Sequence, residues 1–250
     1  MSDVRPTERF TGRAAAYVAG RPSYPTEILG MLFDGLGDPA LATVVDLGAG
    51  TGISSRLLAA HGATVIAVEP TAAMRETSAP LDRVTWNAGT AERTGLPDAS
   101  ADLVAAFQAF HWFDAPAALD EMHRLLRAPL GRAALVYNER DERDDFTAAY
   151  GELVRANATD RTEARRSDGR AAFEAHGGWA RVTVAQIGNV QSLDREGVHA
   201  RARSTSYLPP EGPQADALHA KIDSLFDRYA SGGGVEMRLR TIVTIGFLGR

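Results

Sequence analysis

The chain of 250 residues contains no cysteine, so disulfides, thiolate metal sites and cysteine nucleophiles are all excluded. Lysine is almost missing too: Lys221 is the only one among 27 basic residues, and arginine supplies nearly all positive charge. No apolar run is long enough to span a bilayer, and Met1 to Phe10 is polar and charged, without the apolar stretch of a secretory leader. A cytoplasmic protein without membrane contact is therefore expected. Excess positive charge is also absent. The formal net charge is −5 and no basic stripe is visible, which argues against a nucleic-acid partner. No two histidines are spaced i, i+4 beside an acid, so no metal site is expected.

What the sequence does contain is an ordinary apolar share, 44%, enough to bury a sizeable core. From Thr43 onwards, short β-branched runs alternate with helical patterns. Strands are predicted at Thr43 to Leu47, Thr64 to Val68, Val84 to Trp86, Leu103 to Phe107 and Arg132 to Tyr137. Helices are predicted at Ile53 to Ala60, Ala72 to Ser78 and Pro116 to Leu126. Such alternation with short connections is the pattern of a parallel sheet covered on both faces. Two further helices, Thr7 to Ala19 and Thr26 to Leu36, precede it. Beyond Tyr137 the regularity weakens. Helices are expected at Asp145 to Ala158, Gly169 to Ala175, Arg195 to Arg203 and Gln214 to Tyr229, with strands at Ala180 to Ile187 and Met237 to Leu248. One domain follows: a core at about 40–137, cap insertions at about 138–179 and 195–234, and N-terminal helices within 7–36 over the site. A monomer or homodimer is expected.

The most informative stretch is Asp46-Leu47-Gly48-Ala49-Gly50-Thr51-Gly52, which leaves a predicted strand and opens a predicted helix. Glycines there allow a sharp turn and close approach of a ligand to the main chain. Glu69 ends the next strand, at the spacing where an acid meets a ribose hydroxyl pair. A dinucleotide loop needs Gly-x-Gly-x-x-Gly, but here the third glycine comes one residue early and Ile53 stands in its place. A carboxylate at Asp46, just ahead of the loop, repels a pyrophosphate and attracts an ammonium group. S-adenosylmethionine has an ammonium, a sulfonium and no phosphate, so the charge logic favours it over NAD.

The loop, Glu69-Pro70 and the downstream Met74 resemble motif I and its partner in class I, Rossmann-like methyltransferases, and the chain from about Tyr17 to Phe247 is similar to their small-molecule branch. The resemblance implies an α/β fold with a seven-stranded, mostly parallel sheet of order 3-2-1-4-5-7-6, helices on both faces and a helical cap. It implies that Asp46, Gly48, Ala49, Gly50 and Gly52 hold the methionine part of S-adenosylmethionine and that Glu69 holds the ribose. Gly89-Thr90-Ala91-Glu92 is then expected beside the adenine. The Tyr17 to Pro25 segment resembles one that folds over the cofactor in this branch. There Arg21 pairs with the methionine carboxylate and Tyr17 covers the sulfonium, or both residues are merely structural.

The acceptor side is expected beyond the fourth strand, because ligands of open α/β sheets lie past the carboxyl ends of the strands. Phe107 and Gln108 should face the methyl donor. Phe110-His111-Trp112-Phe113 follows, and the Asn/Asp-Pro-Pro-aromatic motif of amino-directed DNA methyltransferases is absent. His111 is either a general base or a structural ring beside Trp112. Gln108 and Trp112 are pocket-wall candidates. Arg203 to Leu208 resembles an active-site helix–loop of the branch, with Ser206, Tyr207 or Arg203 as possible acceptor contacts, or with Ser206 as a cap and Tyr207 packed. The expected reaction is methyl transfer to a small molecule, at oxygen in preference to nitrogen or carbon, with S-adenosylhomocysteine as coproduct. The rivals are a non-methylating cyclisation or rearrangement on the same fold, and a non-catalytic binding module.

Overall fold

The computed structural model describes residues 20–78, 80–159 and 162–249. Tyr17 and the helix expected over Thr7 to Ala19 lie outside the described residues. Two short buried runs form the middle of a seven-stranded sheet: Thr43–Leu47 is β1 and Leu103–Phe107 is β4, hydrogen-bonded side by side. Both are buried on both faces, which is why they show no alternation. Thr64–Val68 (β2) and Val84–Asn87 (β3) extend the sheet on one side, and Arg132–Arg140 (β5) pairs parallel to β4 on the other. Val235–Phe247 (β7) then inserts antiparallel between β5 and Arg181–Leu193 (β6), giving the order β3-β2-β1-β4-β5-β7-β6. This is the order the resemblance implies.

Helices Glu27–Phe33 (α1) and Ile53–Ala60 (α2) cover one face, where Ile28, Leu32 and Leu58 are fully buried against β1, β2 and β4. The five-residue helix Ala72–Glu76 (α3) follows β2. Ala115–Leu125 (α4) and Thr162–Ala175 (α6) cover the opposite face through Leu119, Met122, Leu125 and Phe173. The start of α4 is fixed by Asp114, whose carboxylate accepts the Ala117 amide, with a proline in the first turn. Asp145–Asn157 (α5), Arg195–Arg203 (α7) and Pro213–Tyr229 (α8) form the cap, and they bury Phe146, Tyr150, Ile222 and Phe226 with the first half of β7.

Three elements run at least three residues beyond the sequence prediction. β5 continues to Arg140 and β6 to Leu193, and α6 starts at Thr162 instead of Gly169. For β6 the reason is pairing: Gly188 to Leu193 has little apolar content, yet each residue is registered on β7 down to Leu193 opposite Val235. The longer β5 matters for function, because it carries Asn138, Glu139 and Arg140 beyond the last β4 pair, still on β7, to the cavity under the cap. Among the described residues, no helix is long and apolar enough to cross a membrane.

Candidate functional site

In chain order β1 leads to β2 and β3 on one side, and the chain then returns to β4 on the other. The switch point therefore lies between the carboxyl ends of β1 and β4. The Gly48–Gly52 loop follows β1 and the Gln108–Phe113 segment follows β4, so the two motifs meet here. Gly48 and Gly50 have φ of +66° and +58°, a region that penalises any L side chain. Contact reinforces this at Gly48, where a Cβ would lie 2.7 Å from Ala109 Cβ and 3.0 Å from Phe113 Cζ. The loop thus presses backbone directly against the β4 segment.

Asp46 is fully buried at the end of β1 and its Oδ2 accepts hydrogen bonds from Ser54 Oγ (2.7 Å) and Ser55 Oγ (2.6 Å) at the start of α2. Burial pushes its carboxyl up to about 6, the two serines oppose the shift, and the nearby Glu69 charge adds to it. Glu69 Oε2 accepts the Gly50 amide (3.0 Å) and Oε1 accepts the Thr71 amide (2.8 Å), so this acid clamps the glycine loop to the end of β2. Each of its oxygens keeps lone-pair capacity for a further donor. Met74 packs below the loop, its Cε 3.6 Å from where a Gly50 Cβ would sit. Pro70 is exposed. Gly89 to Glu92 follows β3: Ala91 is buried, Thr90 is exposed, and the Glu92 carboxylate accepts the Asp114 amide at 2.9 Å, which ties this loop to the start of α4.

A narrow cleft of about 20 Å³ runs between Gly48, Ala49 and Ser54 on one wall and Arg21, Phe107, Gln108 and Asn138 on the other. Asp46 does not line this cleft, whereas Ser54, which donates to Asp46, does. The cleft leads into a cavity of about 550 Å³ under the cap, and Arg21, Pro22, Gln108 and Asn138 border both spaces. Gln108 is the hinge of this arrangement. It holds a φ of +54°, rare for a side-chain-bearing residue, while its Nε2 donates to the Asn138 carbonyl at 2.9 Å. Asn138 in turn donates to the Ser23 carbonyl and accepts from Thr241 Oγ1. Asn189 also donates to Ser23, Gln191 donates to the Gly20 carbonyl, and Arg21 donates to the Ser204 carbonyl. These bonds strap residues 20–25 across the site, with Tyr24 set edge-on to Phe107 at 4.9 Å.

Of the residues expected on the acceptor side, Gln108 and Tyr207 line the larger cavity, whereas His111, Trp112, Ser206 and Arg203 do not. His111 is buried, its backbone amide and Nδ1 both lie on Tyr137 Oη (3.2 and 3.4 Å), and its ring rests on Trp112 at 4.8 Å. Burial holds it well below the usual histidine range, and the cations of Arg166, Arg21 and Arg165 push the same way. Arg203 pairs with Glu196 away from the cavity. His199 and His219 join α7 to α8 with Nδ1 atoms 2.6 Å apart, and His199 Nε2 lies 3.0 Å from Asp223.

Sequence reasoning missed Ser54 and Ser55, and also Tyr150, Arg140, Arg166 and Arg201, which line the cavity from the cap, α6 and the extended β5. The serines were accessible in principle, standing eight and nine residues after Asp46 where α2 begins. The arginines carry no local signature, since only the docking of the cap brings them together.

Sheet order, switch-point loop and the acid after β2 define a class I, Rossmann-like methyltransferase fold. Comparison with known families agrees: residues 45–134 match the family model described as a methyltransferase domain. An uncharacterized methyltransferase of Mycobacterium tuberculosis is 42% identical over 147 residues, 58% of each chain, so the similarity spans little more than half of that relative. An uncharacterized methyltransferase-like protein of Schizosaccharomyces pombe is 28% identical over 230 residues, 90% of this chain and 88% of its own. Among solved structures, phosphoethanolamine N-methyltransferase 2 of Haemonchus contortus, in complex with phosphomonomethylethanolamine and S-adenosylhomocysteine, superposes with a TM-score of 0.56. It is 13% identical, and the match covers 100% of this chain and 61% of that one, a likeness of fold alone.

Proposed function

We propose that the chain binds S-adenosylmethionine at the β1–β4 switch point and transfers its methyl group to an oxygen of a small molecule held under the cap. The observation that carries this reading is the pairing of a phosphate-repelling acid with an open backbone turn: buried Asp46 behind Gly48–Gly52, and Glu69 clamping Gly50. The residues present fit the group. Asp46 Oδ1, Thr51 Oγ1 and Gln108 Oε1 are buried around the loop without a hydrogen-bond partner among the described residues, which is costly unless a polar ligand supplies one. Gly48, Ala49 and Ser54 would hold the methionine part together with Arg21. Glu69 would take the ribose hydroxyls, and Met74, Gly89, Thr90, Ala91 and Glu92 would flank the adenine. Pro70 sets the turn after Glu69, and Tyr17 belongs to the segment preceding Arg21.

When bound, the cofactor would supply an electrophilic methyl carbon on a neutral thioether leaving group, and an already ionised acceptor oxygen would need no proton removed. The chain's own contribution is alignment. Gln108 and Asn138, bordering both cleft and cavity, fix the line between donor and acceptor, and the 20–25 strap closes the site against water. Orientation of this kind supplies roughly 7–11 kcal/mol in well-aligned systems.

On this reading His111 supports the site as a neutral ring held by Tyr137 and does not remove a proton. A residue acting as general base contributes about 10²–10⁴-fold. A His111→Gln variant should therefore lose less than about tenfold in turnover. Its pH–rate profile between pH 6 and 8 should keep the wild-type shape, because His111 is uncharged throughout. A loss of a hundredfold or more, with an inflection removed by the substitution, would restore it as the base. The reading as a whole is tested by incubation with methyl-labelled donor: S-adenosylhomocysteine must form as the acceptor is consumed. A cyclisation or rearrangement would turn over without that product.

A further inference from the structure

The larger cavity has a charge imbalance that methyl transfer alone does not require. Its carboxylates, Glu139, Asp141 and Glu142, are each already matched to an arginine. Asp141 pairs with Arg143 at 2.6 Å, Glu142 with Arg155 and, at 3.6 Å, with Arg140, and Glu139 with Arg170 and Arg240, both at 3.8 Å. Two cations are left over. Arg166, from α6, has no hydrogen bond or carboxylate partner among the described residues, and its Nε is buried. Arg201, from α7, donates only to Gln191 Oε1 at 2.5 Å and has no carboxylate within salt-bridge distance among the described residues. Burial lowers Arg201 to about 10, and the neighbouring Arg21 and Arg140 charges add to the shift.

Tyr150 lines the same cavity, close to Arg201. It is 2% exposed, and its hydroxyl has no hydrogen-bond partner among the described residues. A buried phenol without a partner and two uncompensated guanidiniums share one need: anionic oxygen. Gln108 Oε1, also unpartnered, marks the cleft side of the same space.

We infer that this cavity is the acceptor site and that it selects a small acceptor carrying two oxygen-acid groups, carboxylate or phosphate, one toward Arg166 and one toward Arg201 and Tyr150. The acceptor role rests on the methyl-transfer reading; the anion site does not. Arginine suits either acid, because its planar fork pairs two oxygens at once.

The test starts with cofactor-free protein, titrated calorimetrically with citrate and, separately, with inorganic pyrophosphate. At least one should bind saturably at a single site, more weakly as salt rises, and the preferred ion tells carboxylate from phosphate. Arg166→Gln, on a half-exposed helix position, and Tyr150→Phe, which removes one oxygen, should fold as wild type by melting temperature. Arg166→Gln should weaken the preferred anion by at least about tenfold, and Tyr150→Phe by several-fold. Binding of neither anion, or unchanged affinity in Arg166→Gln, overturns the site. A second readout addresses the acceptor. Methyl label passed from the donor to a cell extract should appear in material retained on an anion-exchange column, and label only in the unretained fraction overturns the acceptor assignment. Anion binding without donor binding would instead count against the methyl-transfer reading while leaving the cavity's selectivity intact.

Discussion

Gly48→Ala protein should fold less stably and lose most of its affinity for the methyl donor. Two independent costs act at this position. Alanine in the left-handed region costs about 1–2 kcal/mol. The added methyl must also find room where Ala109 Cβ would be 2.7 Å away and Phe113 Cζ 3.0 Å, an overpacking that typically costs about 1–3 kcal/mol. The sum, about 2–5 kcal/mol, corresponds to a fall of roughly 5–15 °C in melting temperature for a chain of this size. Relief can come only by moving the loop away from the β4 segment, and that movement distorts the wall formed by Gly48 and Ala49. Donor affinity measured by calorimetry should then fall by at least about tenfold, the equivalent of 1.4 kcal/mol. A melting temperature and affinity equal to wild type would show that the close approach of loop and strand is not what shapes the cleft.

The second large effect has the opposite sign for stability and the same sign for binding. Asp46 is ionised in the unfolded chain above about 3.8 and in the folded chain only above about 6. Between those values the native state holds a proton that the unfolded state has lost, so Asp46 makes stability fall as pH rises through that window. Above about 6 the whole penalty is present, about 3 kcal/mol at 1.36 kcal/mol per unit. Asparagine carries no charge to bury. An Asp46→Asn protein should therefore melt higher than wild type at pH 8, by up to about 3 kcal/mol in stability, with the advantage vanishing as pH drops toward 4. Its donor affinity at pH 8 should be lower, because the charge that favours an ammonium and a sulfonium is gone. Parallel melts at pH 4, 5, 7 and 8 check the slope. A wild type that gains on the variant as pH rises would contradict the assignment of a strained buried carboxylate held for binding.

How much of this was legible in the sequence follows from which interactions are local. The central strands announce themselves because β1 and β4 are buried on both faces, and burial on both faces forces unbroken runs such as Leu103 to Phe107. The loop is equally readable, since Gly48 and Gly50 occupy backbone conformations that other residues avoid. Sheet order came from the resemblance, and the structure reproduces it. Three things resisted. The far half of β6 forms through pairing with β7, a long-range contact that Gly188 to Leu193 does not encode by pattern. Asp46 was read as facing the ligand, yet its carboxylate turns toward Ser54 and Ser55, because the serine hydroxyls at the start of α2 offer the nearest donors to a group cut off from water. The arginines of the cavity reach it from β5, α6 and α7, and no window of sequence places them together.

The central claim is that a phosphate-free adenosyl sulfonium lies over the Gly48–Gly52 turn with its ribose on Glu69. Calorimetric titration of wild type and Glu69→Ala with S-adenosylhomocysteine, at one pH and salt concentration, addresses it most directly. The account predicts one saturable site in the wild type and a loss of at least about tenfold in the variant, since charge-assisted hydrogen bonds of about 1.5–3 kcal/mol are removed. No binding to the wild type, or equal binding to both proteins, would contradict it.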